Sequence, residues 1–99
     1  MKITLRGTAE TREVSMNGEI LSPERSQKHH NHSPDGFSWG YLGSGPSQLA
    51  LAVLIELTDA ATAHKNYMEF KSDIIASLPF GEDFCEVIDM SKYLSHDGK

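Results

Sequence analysis

Apolar and polar positions alternate along the first third of the chain. Ile3 and Leu5 stand between polar neighbours, and Arg6-Gly7 ends the run. A period of two is the mark of a strand with one face buried. Arg12-Glu13-Val14-Ser15-Met16 and Glu19-Ile20-Leu21-Ser22 then flank Asn17-Gly18. Asn-Gly between two extended segments predicts a tight hairpin, because a type I′ turn needs positive φ at both central residues. Pro23 closes the hairpin. Residues 23–36 carry Pro, Ser, Asn, His and Asp with almost no apolar content, and are expected to form a long surface loop.

Beyond residue 36 the period changes. Phe37, Trp39 and Tyr41 alternate with small residues, which predicts a short aromatic strand over 37–41 with its three rings on one face. Gln48 to Ile55 is apolar around nearly the whole circumference of a helix. That predicts a helix over 46–57 buried on most sides, with Pro46 at its first position and Gly45 as the cap. Thr58-Asp59 interrupts the pattern and offers the next cap. Ala60, Ala63, Tyr67, Phe70, Ile74 and Leu78 recur at steps of three and four, predicting an amphipathic helix over 60–78. His64, Lys65, Glu69, Lys71 and Asp73 fall mostly off its apolar stripe, with Lys65 and Glu69 spaced for an i,i+4 pair. Pro79-Phe80-Gly81 stops it. Phe84 to Ile88 reads as a last strand, Asp89 as the cap of a short terminal helix through Leu94, and residues 95–99 as a frayed tail.

The sum is one domain over 1–99 of the α+β class. A small antiparallel or mixed sheet, built from the hairpin, strand 37–41 and strand 84–88, packs against two helices, 46–57 and 60–78. Ninety-nine residues leave no room for a second core. The formal net charge of −5 gives no electrostatic footprint for a phosphate backbone, so direct nucleic-acid binding is not expected. Acidity suits a basic protein partner instead. Cys85 is the lone cysteine, which removes any intrachain disulfide and points to a reducing compartment. Within its strand it reads as a small buried hydrophobe. The longest apolar run, Leu49 to Ile55, falls far short of the roughly 20 residues of a membrane span. The first residues lack the pattern of a secretory leader. The expected location is the cytoplasm, with no membrane contact.

Candidate chemistry concentrates at Gly43-Ser44-Gly45-Pro46-Ser47-Gln48, where a strand would enter the buried helix. Unpaired N–H groups in a helix's first turn, with the macrodipole, favour an anion. The glycines, the hydroxyls of Ser44 and Ser47 and the Gln48 amide would serve a phosphate or carboxylate, and Trp39 and Tyr41 could stack on a base. No Lys completes a phosphate-binding Walker loop, and the glycine spacing is not that of dinucleotide folds. The competing reading is a tight turn that lets helix and strand pack. His30 and His32 would point the same way from an extended chain, with Asp35 supplying an oxygen, but a zinc site needs three or four converging ligands. His64, His96 and Cys85 are isolated in sequence, so neither a metal nor another cofactor is expected. His32 and Asp35 as base and orienter would make a hydrolase or nuclease; Gly-Tyr-Leu-Gly-Ser-Gly does not match a nucleophile elbow, and no catalytic residue is assigned.

The run His32-Ser33-Pro34-Asp35-Gly36-Phe37-Ser38-Trp39-Gly40-Tyr41, followed by Gly43-Ser44-Gly45-Pro46-Ser47-Gln48-Leu49-Ala50-Leu51-Ala52, resembles a small family of bacterial and bacteriophage proteins of unknown function. Its shared core has the form HSPDGFxWGYxGSGPxQLALA. Tyr67, Phe70-Lys71 and Leu78-Pro79 are similar to that family's second helix and its end. The resemblance covers about two-thirds of the chain and implies occurrence in phages and mobile elements, where small acidic proteins act on host machinery. It carries over no functional residue. The expectation is therefore a non-enzymatic binding protein that inhibits a host or antiviral-defence complex through an acidic surface. The alternatives are a binder of a phosphate-bearing small molecule or nucleotide at Gly43–Gln48, and then a hydrolase or nuclease.

Overall fold

A computed structural model describes residues 1–95 of the chain. Strands β1 (Lys2–Thr8), β2 (Glu13–Met16), β3 (Glu19–Leu21) and β4 (Phe84–Asp89) form one antiparallel sheet in the order β3-β2-β1-β4. Helices α1 (Pro23–His29), α2 (Ser44–Leu57) and α3 (Ala60–Asp73) complete an α+β fold. The expected class is therefore the one observed, and so is the hairpin. Asn17 and Gly18 have φ of 54° and 85°, as a type I′ turn requires. Asn17 also locks the turn to the neighbouring strand: its Oδ1 accepts from the Thr4 N–H and its own N–H donates to the Thr4 carbonyl.

Alternation along β1 sends Ile3, Leu5 and Gly7 inward and leaves Lys2, Thr4, Arg6 and Thr8 outside. The inward row, with Val14, Leu21, Phe84 and Ile88, shares one core with α2. Helix α2 is buried continuously from Gly45 to Ile55, as its apolar circumference predicts. It packs against both α3 and α1. Phe70, Ile75, Met90 and Tyr93 close the core beneath α3. Asp59 caps α3 by accepting from the Thr62 N–H at 2.8 Å.

Four expectations are corrected. Residues 23–29 are helical rather than loop, because Ser22 caps the Glu24 N–H and Pro23 occupies the first turn. Those are strong start signals on a segment too polar to show a helical stripe. The aromatic segment 37–41 pairs with no described strand. Gly40 turns there with φ of 85°, so Phe37 and Trp39 go inward while Tyr41 is left outside. Helix α2 begins at Ser44 with Gly43 as its cap, which places Pro46 in the first turn but not first. Helix α3 ends at Asp73, and a 3₁₀ turn over Ile75–Ser77 carries the chain to Leu78.

Two smaller points also differ. Cys85 is exposed, since Phe84 and Ile88 take the inward positions of β4. Only a 3₁₀ turn over Ser91–Tyr93 replaces the expected terminal helix, and Met90 stands at its cap position; Asp89 accepts from the Ser91 N–H and hydroxyl. Of the expected tail, residues 96–99 lie outside the described residues.

Candidate functional site

Several of the residues singled out between 30 and 48 come together around the first turns of α2, and Trp39, Gly45, Ser47 and Gln48 among them are buried. Gln48 is completely buried. Its Oε1 accepts from the N–H groups of His32 at 2.7 Å and Ser33 at 2.9 Å. Its Nε2 donates to the Ser26 hydroxyl at 2.9 Å and the His30 carbonyl at 3.1 Å. Two lone pairs and two N–H bonds are the full capacity of an amide side chain. One α2 residue thus pins the end of α1 and the following loop to the central helix. The Gln27 side chain adds a bond to the Ser33 carbonyl.

Ser47 is buried as well. Its hydroxyl donates to the Gly43 carbonyl at 3.0 Å and accepts from the Lys71 ammonium at 3.0 Å. Gly45 is buried where a Cβ would sit 2.6 Å from the Ser38 Cβ, so only glycine lets the first turn of α2 lie against residues 37–39. Trp39 is 3% exposed and its indole N–H donates to the Glu82 carbonyl, leaving no ring face for a base. Ser44 is exposed. Of the anion-site candidates, then, Ser47 and Gln48 spend their polar atoms on internal bonds, while Gly43 and Gly45 serve close packing.

His30 and His32 do project the same way: their rings stack at 4.0 Å, 4° from parallel. Sequence spacing misses what α3 adds to them. His64 lies 6.2 Å from His30 and Tyr67 lies 5.3 Å from His32, while Lys71 reaches Ser47 nearby. His64 is therefore not isolated, and Lys71 is buried instead of lying off the stripe. No carboxylate among the described residues pairs with Lys71. Glu69, spaced for Lys65, turns to Lys92 at 3.5 Å.

Burial holds the His32 imidazole below its ordinary pKa, and the neighbouring His30, Lys71 and His64 push it further down. Its Nε2 is buried without a hydrogen-bond partner among the described residues. Burial raises the Tyr67 phenol. Asp35 does not join the group; it sits exposed in the Ser33–Gly36 turn, closed by the Gly36 N–H to the Ser33 carbonyl. No set of three or more His, Cys, Asp or Glu among the described residues is arranged to hold a metal ion. No helix among them is long and apolar enough to cross a membrane.

The outward half of the same segment is of a different kind. Tyr41 and Leu42 are 41% and 68% exposed, and Phe80 is 71% exposed. The rings of Tyr41 and Phe80 meet edge-on at 5.6 Å. The frame beneath them is tightly tied. The Gly40 N–H donates to the Ile75 carbonyl, and a Cβ on Gly40 would come within 2.5 Å of the Phe80 backbone. Trp39 holds the Glu82 carbonyl, and Asp83 accepts from the Ala9 N–H at 2.7 Å. Tyr41, Leu42 and Phe80 thus lie outside the core.

The model of one protein family runs over residues 4–95, through both halves of this segment and every element of the fold. The chain belongs to that family, DUF6166, a family of unknown function. No curated protein and no solved structure matches it. Membership in DUF6166 thus takes in the whole fold without assigning work to any residue, and the geometry alone separates the inward cluster from the outward surface.

Proposed function

We propose that this DUF6166 member is a non-enzymatic protein-binding module whose partner docks on Tyr41, Leu42 and Phe80. The observation that carries the reading is the exposure of these three large apolar side chains, with the Tyr41 and Phe80 rings in contact and Leu42 next along the chain, on a backbone tied at Gly40. Aromatic anchors on a rigid frame are what binding hot spots are made of, because little side-chain freedom is lost when they are covered. Glu82 and Asp83 follow two and three residues after Phe80, and the chain carries a net charge of −5. The partner that fits is a protein with an apolar pocket and a basic rim, drawn in by complementary charge.

The narrower role, inhibition of a host or antiviral-defence complex by a phage or mobile-element protein, rests on the resemblance of the 32–52 core and on the acidic balance. A phosphate-bearing ligand at Gly43–Gln48 is the weaker reading, because Ser47 and Gln48 would have to give up the bonds that hold Lys71 and the 26–33 segment.

The test is quantitative affinity capture by wild type and by a Tyr41→Ser, Leu42→Ser, Phe80→Ser variant of unchanged circular dichroism. A partner recovered by wild type and reduced at least tenfold with the variant is the expected result. Equal recovery by both, or no stoichiometric partner at low and moderate salt, would overturn the proposal.

A further inference from the structure

We infer that the free edge of β4 is a second docking site, one that takes an extended basic-apolar peptide segment by strand addition. The inference does not rest on the Tyr41–Leu42–Phe80 reading. In the order β3-β2-β1-β4, β4 pairs with β1 and with no other described strand. The Met90 N–H donates to the Met1 carbonyl, and the register sets Ile3 opposite Ile88. Backbone groups in an antiparallel pair face the partner strand at every second residue. Phe84, Glu86 and Ile88 therefore turn their N–H and C=O groups to β1, and Cys85, Val87 and Asp89 turn theirs outward. No backbone bond from these three to another described element is present. The opposite edge, β3, is only three residues long. The β4 edge offers six.

A groove of about 440 Å³ runs beside that edge. One wall is Ile74, Leu78 and Pro79; the other is β4 itself, from Glu86 to Asp89. Added strands gain affinity from main-chain bonds and selectivity from alternate side chains. Here the selectivity is set by charge. Asp73 already accepts from Lys92 at 2.9 Å and from the Tyr93 hydroxyl at 2.8 Å, and Asp89 accepts from Ser91. Glu86 is left over: it holds the inward position between Phe84 and Ile88, yet it is exposed and forms no ion pair among the described residues.

An inward-facing charge on an edge strand discourages indiscriminate pairing. An incoming strand must therefore bring a Lys or Arg opposite Glu86, with an apolar side chain two residues away for the Ile74–Leu78 wall. A second copy does not satisfy this, because Phe84–Asp89 holds two acidic residues and no basic one. The occupant is a basic-apolar segment of another protein.

The test uses two synthetic eight-residue peptides, labelled for fluorescence polarisation. One face of each is Thr; the other alternates Val with Lys in one peptide and Val with Glu in the second. Wild type is expected to bind the Lys peptide at least tenfold more tightly, and Glu86→Lys to reverse that order. Val87→Pro removes an outward N–H without breaking the ladder to β1, and should weaken the Lys peptide at least tenfold. In wild type the peptide should also slow hydrogen exchange at the amides of Cys85, Val87 and Asp89, which decides the matter if the proline variant does not fold. Equal affinity for the two peptides, no binding of the Lys peptide at millimolar concentration, or unslowed exchange at those amides would each overturn the inference. So would a folded Val87→Pro variant that binds as wild type does, or self-association of wild type through β4.

Discussion

Gln48 and Leu42 lie six residues apart and are treated in opposite ways. Gln48 is fully buried with four hydrogen bonds, and Leu42 is 68% exposed. A buried amide must be fully paired because each unmet group costs free energy, whereas an exposed leucine costs little and takes on meaning only beside other exposed apolar groups such as Tyr41 and Phe80. The lesson is that a motif rich in glycine and polar residues need not be a ligand loop. Its polar half can serve the fold while its apolar half is left for a partner.

That contrast should break most visibly at Gln48. Gln48→Ala strands two N–H groups and the Ser26 and His30 acceptors at the core's edge, and should cost about 3 kcal/mol or more in urea unfolding. A loss below about 1 kcal/mol would mean that water replaces the amide freely. Gly40→Ala comes next. A Cβ there is forced to positive φ and onto the Phe80 backbone, so about 2 kcal/mol should be lost, and the Tyr41–Phe80 surface with it.

The His32 cluster gives a smaller, pH-dependent effect. Its pKa is lowered in the folded state, so the unfolded chain binds a proton first as pH falls through the ordinary histidine range. Stability should therefore decline with acidification from the region of about pH 6.5 downward, and His32→Gln should flatten that slope. Asp73 and Asp89, lowered chiefly by bonds from Lys92 and Ser91 respectively, act only in the more acidic carboxylate range. A wild-type stability unchanged between about pH 7 and 5.5 would contradict the assignment. The smallest effect is expected at the outward surface. Leu42→Ser with Phe80→Ser should move the urea midpoint by no more than the equivalent of about 0.5 kcal/mol, because both side chains lie outside the core and Phe80 touches only the exposed ring of Tyr41 among the described aromatic contacts.

Much of the fold was legible in residue order because its signals are local. Asn17-Gly18 demands one turn, the apolar circumference of 48–55 demands burial, and Thr58-Asp59 caps the next helix. Strand 37–41 misled because alternation of large and small residues says nothing about a pairing partner, and Gly40 supplies a bend that alternation alone does not reveal. Helix α1 was hidden because a short helix held by a cap and by Gln48 needs no apolar stripe of its own. The site was less legible for a related reason. Lys71 and His64 reach the His30–His32 pair only through the packing of α3 on α2, which no spacing encodes. The exposure of Phe80 had a faint trace in sequence, since Pro79-Phe80-Gly81 reads as a stop beyond the apolar stripe that ends at Leu78.

Hydrogen exchange of the wild-type protein, alone and with its captured partner, tests the division most directly. Slowed exchange over 40–42 and 79–83, with 44–48 unchanged, is the result expected. Slowing confined to 44–48 or to the His30–His32 segment would contradict it and return the function to the inward half.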